Sequence, residues 1–189
     1  MSILFLAILV VVVLWMIGAY NKLVALKNQV VNGWKQIDVQ LKRRHDLIPN
    51  LVNTVKGAMD FERNTLEAVI SARNKAVGAS GVAAVAKAEG ELSQALGRLF
   101  ALSENYPQLK ATENVKQLQE ELTSTENKIG FARQLYNDVA TEYNTKQMQF
   151  PTNLVAGLAK AEPAELWEIE DAGERAVPQV DLSGPKPGA

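Results

Sequence analysis

The chain has a single histidine, His45, with Asp46 after it and Arg43 and Arg44 before it. A histidine beside a carboxylate can move protons, provided that a pocket holds the pair against a substrate. The sequence offers no such pocket, no nucleophile elbow and no glycine-rich phosphate loop. A di-iron centre in a helical bundle would need two Glu-x-x-His motifs, and the residue three before His45 is Lys42. The chain has no cysteine, which removes thiolate metal sites, disulfides and a lipoprotein anchor. Asp46, Glu126 and Glu142 read as structural or solvated groups. The expectation is a protein without catalytic residues, metal or cofactor, and not an enzyme.

The polar residue whose position asks for an explanation is Arg44. It falls on a core-facing position of the first long helical repeat, where its guanidinium must find carboxylates or carbonyls, or turn out to water. Glu126 flanks the seam of the last long helix, beside Thr125, and is the candidate partner. A buried pair of this kind fixes helix register more than it adds stability.

The helices that would position these groups are legible from their spacing. Val115, Leu118, Leu122, Thr125, Ile129, Ala132, Tyr136, Val139 and Tyr143 recur at strict 3-4 intervals. That is one seam of a helix about 40 Å long. Leu23, Val30, Trp34, Ile37, Leu41, Ile48, Leu51, Val55 and Ala58 fit the same register, with Lys27 and Arg44 as its exceptions. Pro49 falls inside this run and is expected to kink the helix rather than end it, because the register survives across it. Between the two long helices lie two shorter stripes. Asp60 is a plausible N-cap for the first, which would bury Leu66, Val69, Ile70, the Arg73 stem and Val77. The second carries Val82, Val85, Leu92, Leu96, Leu99 and Phe100, and Asn105-Tyr106-Pro107 ends it, with Asn105 suited to a left-handed cap. No stretch alternates at period two. The predicted fold is all-α: an N-terminal transmembrane helix running into an antiparallel up-and-down four-helix bundle, with helices near 22–59, 61–77, 82–104 and 110–149.

The first twenty-one residues carry no charged side chain. Ile3 to Tyr20 spans roughly 27 Å as a helix, close to the hydrocarbon thickness of a bilayer. Ile3, Leu4, Phe5, Leu6, Val10 and Val13 would face lipid, with Trp15 and Tyr20 as interfacial anchors. A cleaved signal peptide is the rival reading, but the apolar run is longer than such leaders need and bulky Ile17 precedes the Gly18-Ala19 pair. Residues 1–21 are therefore read as an anchor and 22–158 as the bundle. Lys22, Lys27 and Lys35 follow the anchor and place the bundle in the cytoplasm by the positive-inside rule. Residues 1–60 carry seven Lys/Arg against three Asp, whereas residues 161–189 carry seven Asp/Glu against two Lys/Arg. The basic section suits anionic lipid. No basic cluster is interleaved with stacking aromatics, so nucleic acid is not an expected partner. Leu154, Val155 and Leu158 would add one packed turn. Residues 159–189 read as an acidic, Pro-containing tail, partly disordered, in which Leu166, Trp167 and Ile169 form a docking patch or are incidental.

Two stretches resemble the LemA family of bacterial membrane proteins. One is RRHDLIPNLVNTVKG, Arg43 to Gly57, followed by LEAVISAR, Leu66 to Arg73. The other is ENYPQLKATENVKQLQEELTSTENKIGFARQLYNDVATEYN, Glu104 to Asn144, closing with FPTNLVAGL, Phe150 to Leu158. The tail departs from the family pattern, with AKAEPAELWEIE where phenylalanines usually follow. The resemblance implies a single-pass membrane protein with a helical domain. It delivers no reaction, and it points toward membrane organisation, including internal compartments in magnetosome-bearing bacteria.

Three classes of function follow as expectations. The first is a scaffold, tethered to the inner or plasma membrane, that self-associates or holds an unidentified membrane or cytoplasmic protein. The second is an oligomer that shapes the bilayer, and the third, least supported, is an enzyme. The expected partners are the lipid bilayer and further copies of the chain.

Overall fold

A computed structural model describes residues 2–57, 62–110 and 112–168. Among the described residues there is no strand and there are six helices: α1 (Ser2–Lys56), α2 (Arg63–Gly78), α3 (Val82–Ser103), α4 (Pro107–Lys110), α5 (Glu113–Met148) and α6 (Thr152–Leu158). The predicted apolar helix and first bundle helix are one uninterrupted rod of 55 residues, about 82 Å long.

α1 and α5 pair lengthwise and antiparallel. Arg43 meets Glu121, Arg44 meets Glu126, and Gly33 faces Tyr136, so numbers rise along one helix as they fall along the other. At Gly33 the two backbones approach closely. A β-carbon there would stand 3.4 Å from the Tyr136 Cα. α2 and α3 form a second hairpin, turned by Gly81 at φ +85°, a conformation in which a side chain is strained. This hairpin is shorter than the α1–α5 pair. α3, with 22 residues, covers about 33 Å of a pair whose α5 runs about 54 Å over 36 residues.

The core therefore divides in two. Ile48, Leu51, Val55, Leu66, Val69, Leu92, Leu99, Val115 and Leu122 fill the four-helix part. Leu23, Leu26, Ile37, Ile129, Tyr136, Tyr143, Val155 and Trp167 fill the part nearer the apolar end of α1. Within the second cluster the start of α3 contributes Val85, and beyond it α6 and the segment 161–168 take the place of α2 and α3.

Several local expectations are corrected. Lys27 is exposed and Leu26 takes the buried place beside it. Ile70 and Val77 are exposed, because α2 buries a narrower stripe of Leu66, Val69 and Ala76. Leu154 and Leu158 are exposed, and α6 packs through Val155 and Ala156. Asn105 is not left-handed; α3 closes through successive short-turn bonds from Glu104, Asn105 and Tyr106 to the carbonyls three residues back. The helix limits shift by a few residues to those given above. Asp60, Ala58 and Ile169 lie outside the described residues.

Pro49 sits within α1, and the helix continues past it. Proline has no amide to offer the carbonyl four residues back, which is that of His45. The Arg73 side chain of α2 supplies the missing donor: its Nε–H reaches the His45 carbonyl at 3.2 Å. The break in the ladder is thus mended by a neighbouring helix, and the mend ties α2 to α1.

Candidate functional site

Three features stand out from the packed helices. The first is a buried polar centre. Arg44 is 2% exposed; its Nη1 lies 2.8 Å from Glu126 Oε2 and 3.4 Å from Glu89 Oε2, and its Nη2 donates to Ser93 Oγ at 2.7 Å. His45 Nε2 donates to Glu89 Oε1 at 2.6 Å. The structure therefore brings Arg44 and Glu126 together and turns the guanidinium inward. Spacing reasoning missed Glu89, although the register held the signal. Val85, Glu89, Leu92, Leu96 and Leu99 keep the 3-4 interval of the α3 stripe, and Glu89 occupies a seam position as Arg44 does. Two seam charges of opposite sign on different helices are a pair waiting to be matched. Arg44, His45, Ser93, Glu89 and Glu126 pair with one another and join α1, α3 and α5, though Glu89 Oε2 makes no hydrogen bond to a described residue and is held by the 3.4 Å ion pair alone. Among the described residues, no three His, Asp or Glu side chains converge as metal ligands would.

The second feature is the segment 161–168, which lies extended along α5. Trp167 is buried against Trp34 and Tyr136, with ring centroids 6.0 Å from Trp34, and Trp34 meets Tyr136 edge-on at 5.6 Å. The Arg133 guanidinium lies 5.7 Å over the Trp167 ring. Asn137 and Asn144 each hold the strip's backbone through both ends of their amides, and the Tyr136 hydroxyl donates to the Glu165 carbonyl at 2.6 Å. Burial raises Tyr136 above its usual 10.0, and the nearby Glu165 charge raises it further. Tyr143 moves the same way for the same reason, with Glu162 as the second cause. Trp167 is thus a docked residue and not an incidental one.

The third feature is what remains uncovered. α1 contains a helix window long and apolar enough to cross a membrane, and none of it is buried by the rest of the chain. Ile3, Leu4, Phe5, Leu6, Val10, Val13, Trp15 and Tyr20 are all exposed, as are Lys22, Lys27 and Lys35. A core helix of a soluble protein would be covered. Further along, Val39 of α1 and Phe131 and Leu135 of α5 line an open groove on the pair, with Phe131 74% exposed. Of the seam residues on α5, Leu122, Ile129, Tyr136 and Tyr143 are buried; Leu118 and Val139 are half-buried, and Ala140 lies deeper than Val139.

The model of the LemA family matches residues 33–182. The chain belongs to the LemA family. Among LemA-family relatives it is 28% identical over 141 residues to Protein LemA of Metamycoplasma hominis, covering 74% of this chain and 64% of that one. It is 24% identical over 181 residues to Magnetosome protein MamQ 2 of Paramagnetospirillum magneticum, covering 82% of this chain and 66% of the relative. Against Magnetosome protein MamQ of Magnetospirillum gryphiswaldense it is 23% identical over 190 residues, covering 85% and 70%. This LemA-family chain thus spans just under two thirds of the length of the first of these relatives.

Proposed function

We propose that this LemA-family protein is a single-pass scaffold that holds copies of itself, or partner proteins, at the inner or plasma membrane. The observation that carries the reading is the pairing of an uncovered apolar helix with exposed Phe131, Leu135 and Val39 in an open groove, otherwise lined mostly by Lys, Asn and Gln side chains, on the same continuous helix pair. α1 is continuous through both. In water, each large apolar side chain left exposed forgoes roughly 1.5–3 kcal/mol of burial. An exposed Phe131 beside Leu135 and Val39 is better accounted for by a protein that covers it. The bundle is proposed to face the cytoplasm, from Lys22, Lys27 and Lys35. The protein is proposed to be non-enzymatic, a reading supported by the pairing of Arg44, His45, Glu89 and Glu126 with one another and by a sequence without a nucleophile elbow or phosphate loop.

Because the chain lacks cysteine, a Phe131→Cys variant crosslinked in intact cells reads the groove directly. A crosslinked dimer or a discrete larger species supports the scaffold. Exclusive recovery of uncrosslinked monomer, with the same result at Leu135→Cys, contradicts it. A reporter fused after residue 189 reads the orientation, and activity only on the outer side reverses it.

A second reading has its own support, in the similarity to proteins named for magnetosomes. Here many anchored copies would act on one bilayer, and multivalency would turn weak contacts into strong avidity. Imaging of vesicles carrying the full chain separates the two: deformed membranes favour shaping, and unchanged vesicles with crosslinked protein favour the scaffold.

A further inference from the structure

We propose that the corner between α5 and α6 is a second membrane contact, its side chains embedded in the same leaflet that the anchor leaves. Four large apolar residues lie at this corner with no described residue covering them: Met148, Phe150, Leu154 and Leu158, from 62% to 80% exposed. Their position along α1 decides what covers them. Thr152 and Lys146 line one depression with Trp15, Gly18 and Lys22, and Met16 and Ala19 pack into the core cluster that contains Val155 and Ala156. α6 is therefore fixed beside the last turns of the apolar run. If Ile3 to Tyr20 fills a hydrocarbon layer of about 30 Å, the turns from Trp15 to Tyr20 occupy its final ~8 Å.

A corner held at that level meets acyl chains and headgroups before it meets bulk water. Its composition fits that boundary. Its large exposed side chains are apolar and are interspersed with exposed Gln149, Asn153 and Lys160, and Lys22 and Lys146 line one depression at the rim, where lipid phosphates lie. Because α6 packs beside Met16 and Ala19, a bilayer that takes up the anchor reaches this corner as well. A second contact of this kind would stop the rod from swivelling about a single helix and would set its tilt relative to the membrane.

The inference rests on the anchor reading, and the test keeps the two apart. Full-length single-cysteine variants Ile8→Cys, Leu158→Cys and Gln134→Cys carry a nitroxide in vesicles of phosphatidylethanolamine and phosphatidylglycerol. Collision with dissolved oxygen is then compared with collision with a water-soluble nickel complex. The expected result is an oxygen-to-nickel ratio at Leu158→Cys close to that at Ile8→Cys and several-fold above that at Gln134→Cys. A lipid-like Ile8→Cys with a nickel-accessible Leu158→Cys overturns the second contact and leaves the anchor standing. A nickel-accessible Ile8→Cys overturns both. Spin–spin broadening at Leu158→Cys, with shielding from both reagents, marks a second copy on this corner and also overturns the proposal.

Discussion

Asn137 hydrogen-bonds both faces of the Trp167 peptide backbone. Its Nδ2–H donates to the Trp167 carbonyl and its Oδ1 accepts from the Trp167 amide, each at 2.9 Å. Asn144, two helical turns on, repeats the arrangement with Ala164 at 2.8 and 2.7 Å. The spacing has a geometric cause. Seven helical residues advance about 10.5 Å, and three extended residues about 10 Å. An extended strip running antiparallel to α5 therefore comes back into phase every seven helix positions. The asparagines serve as the edge of a missing strand.

Removing either amide should loosen the strip and leave the bundle intact. Two hydrogen bonds, at about 1 kcal/mol each, are lost per asparagine. Asn137→Ala is expected to speed hydrogen exchange across residues 161–168 by about 30-fold, with the α1–α5 core unchanged. Unaltered exchange in the strip would show that the tryptophan alone holds it.

Alkali should release the same strip. The folded state holds the Tyr136 proton above the ordinary 10.0, because burial and then the Glu165 charge disfavour the phenolate. For an acid whose folded pKa is raised, the linked stability is whole below pH 10. It is lost as pH climbs through the folded value. Phenolate absorbance should therefore show a component titrating above pH 10 that Tyr136→Phe diminishes, with Tyr143 accounting for part of what remains. Identical titrations for both proteins would contradict the assignment.

The polar centre should respond unequally to its members. Arg44→Ala takes the ion pair from Glu89, itself 3% exposed, and leaves it with His45; the change is expected to cost about 3–5 kcal/mol. Glu126 has a side chain 44% exposed, so Glu126→Gln should cost under about 1 kcal/mol. Replacing Arg44 with Met and Glu89 with Leu together should recover most of the loss. Denaturation followed by helical circular dichroism decides it. Equal losses for Arg44→Ala and Glu126→Gln would refute the account.

Pro49 and Arg73 should be coupled through the His45 carbonyl. Arg73→Met leaves that carbonyl without its donor, at roughly 1–3 kcal/mol. Pro49→Ala restores the helical amide, after which Arg73 is no longer needed there. A double-mutant cycle on stability should return a coupling near ~1 kcal/mol, and strict additivity would exclude the mend.

How much of this could be read from residues in order varies with the range of the interaction. The seams of α1 and α5 are local patterns, so Ile37, Ile48, Leu122 and Ile129 are recoverable by counting, and the structure buries all four. Arg44 draws attention because it breaks such a pattern. Glu89 breaks the α3 pattern in the same way, yet its match to Arg44 depends on which helices become neighbours. Ile70 and Val77 mislead because hydrophobicity does not say how wide a stripe the neighbours will cover.

The sequence alone determined an uncharged helix long enough for a bilayer, the helical period of everything after it, and membership of a family through ordered motifs. These depend on composition and short-range spacing, which the chain carries in one dimension. Only the tertiary structure decided that Arg73 mends the gap left by Pro49, that Gly33 comes to face Tyr136, and that Trp167 returns to Trp34. Each joins residues tens of positions apart. Such contacts are selected when many weak terms are satisfied together, by a packed arrangement that no single segment specifies.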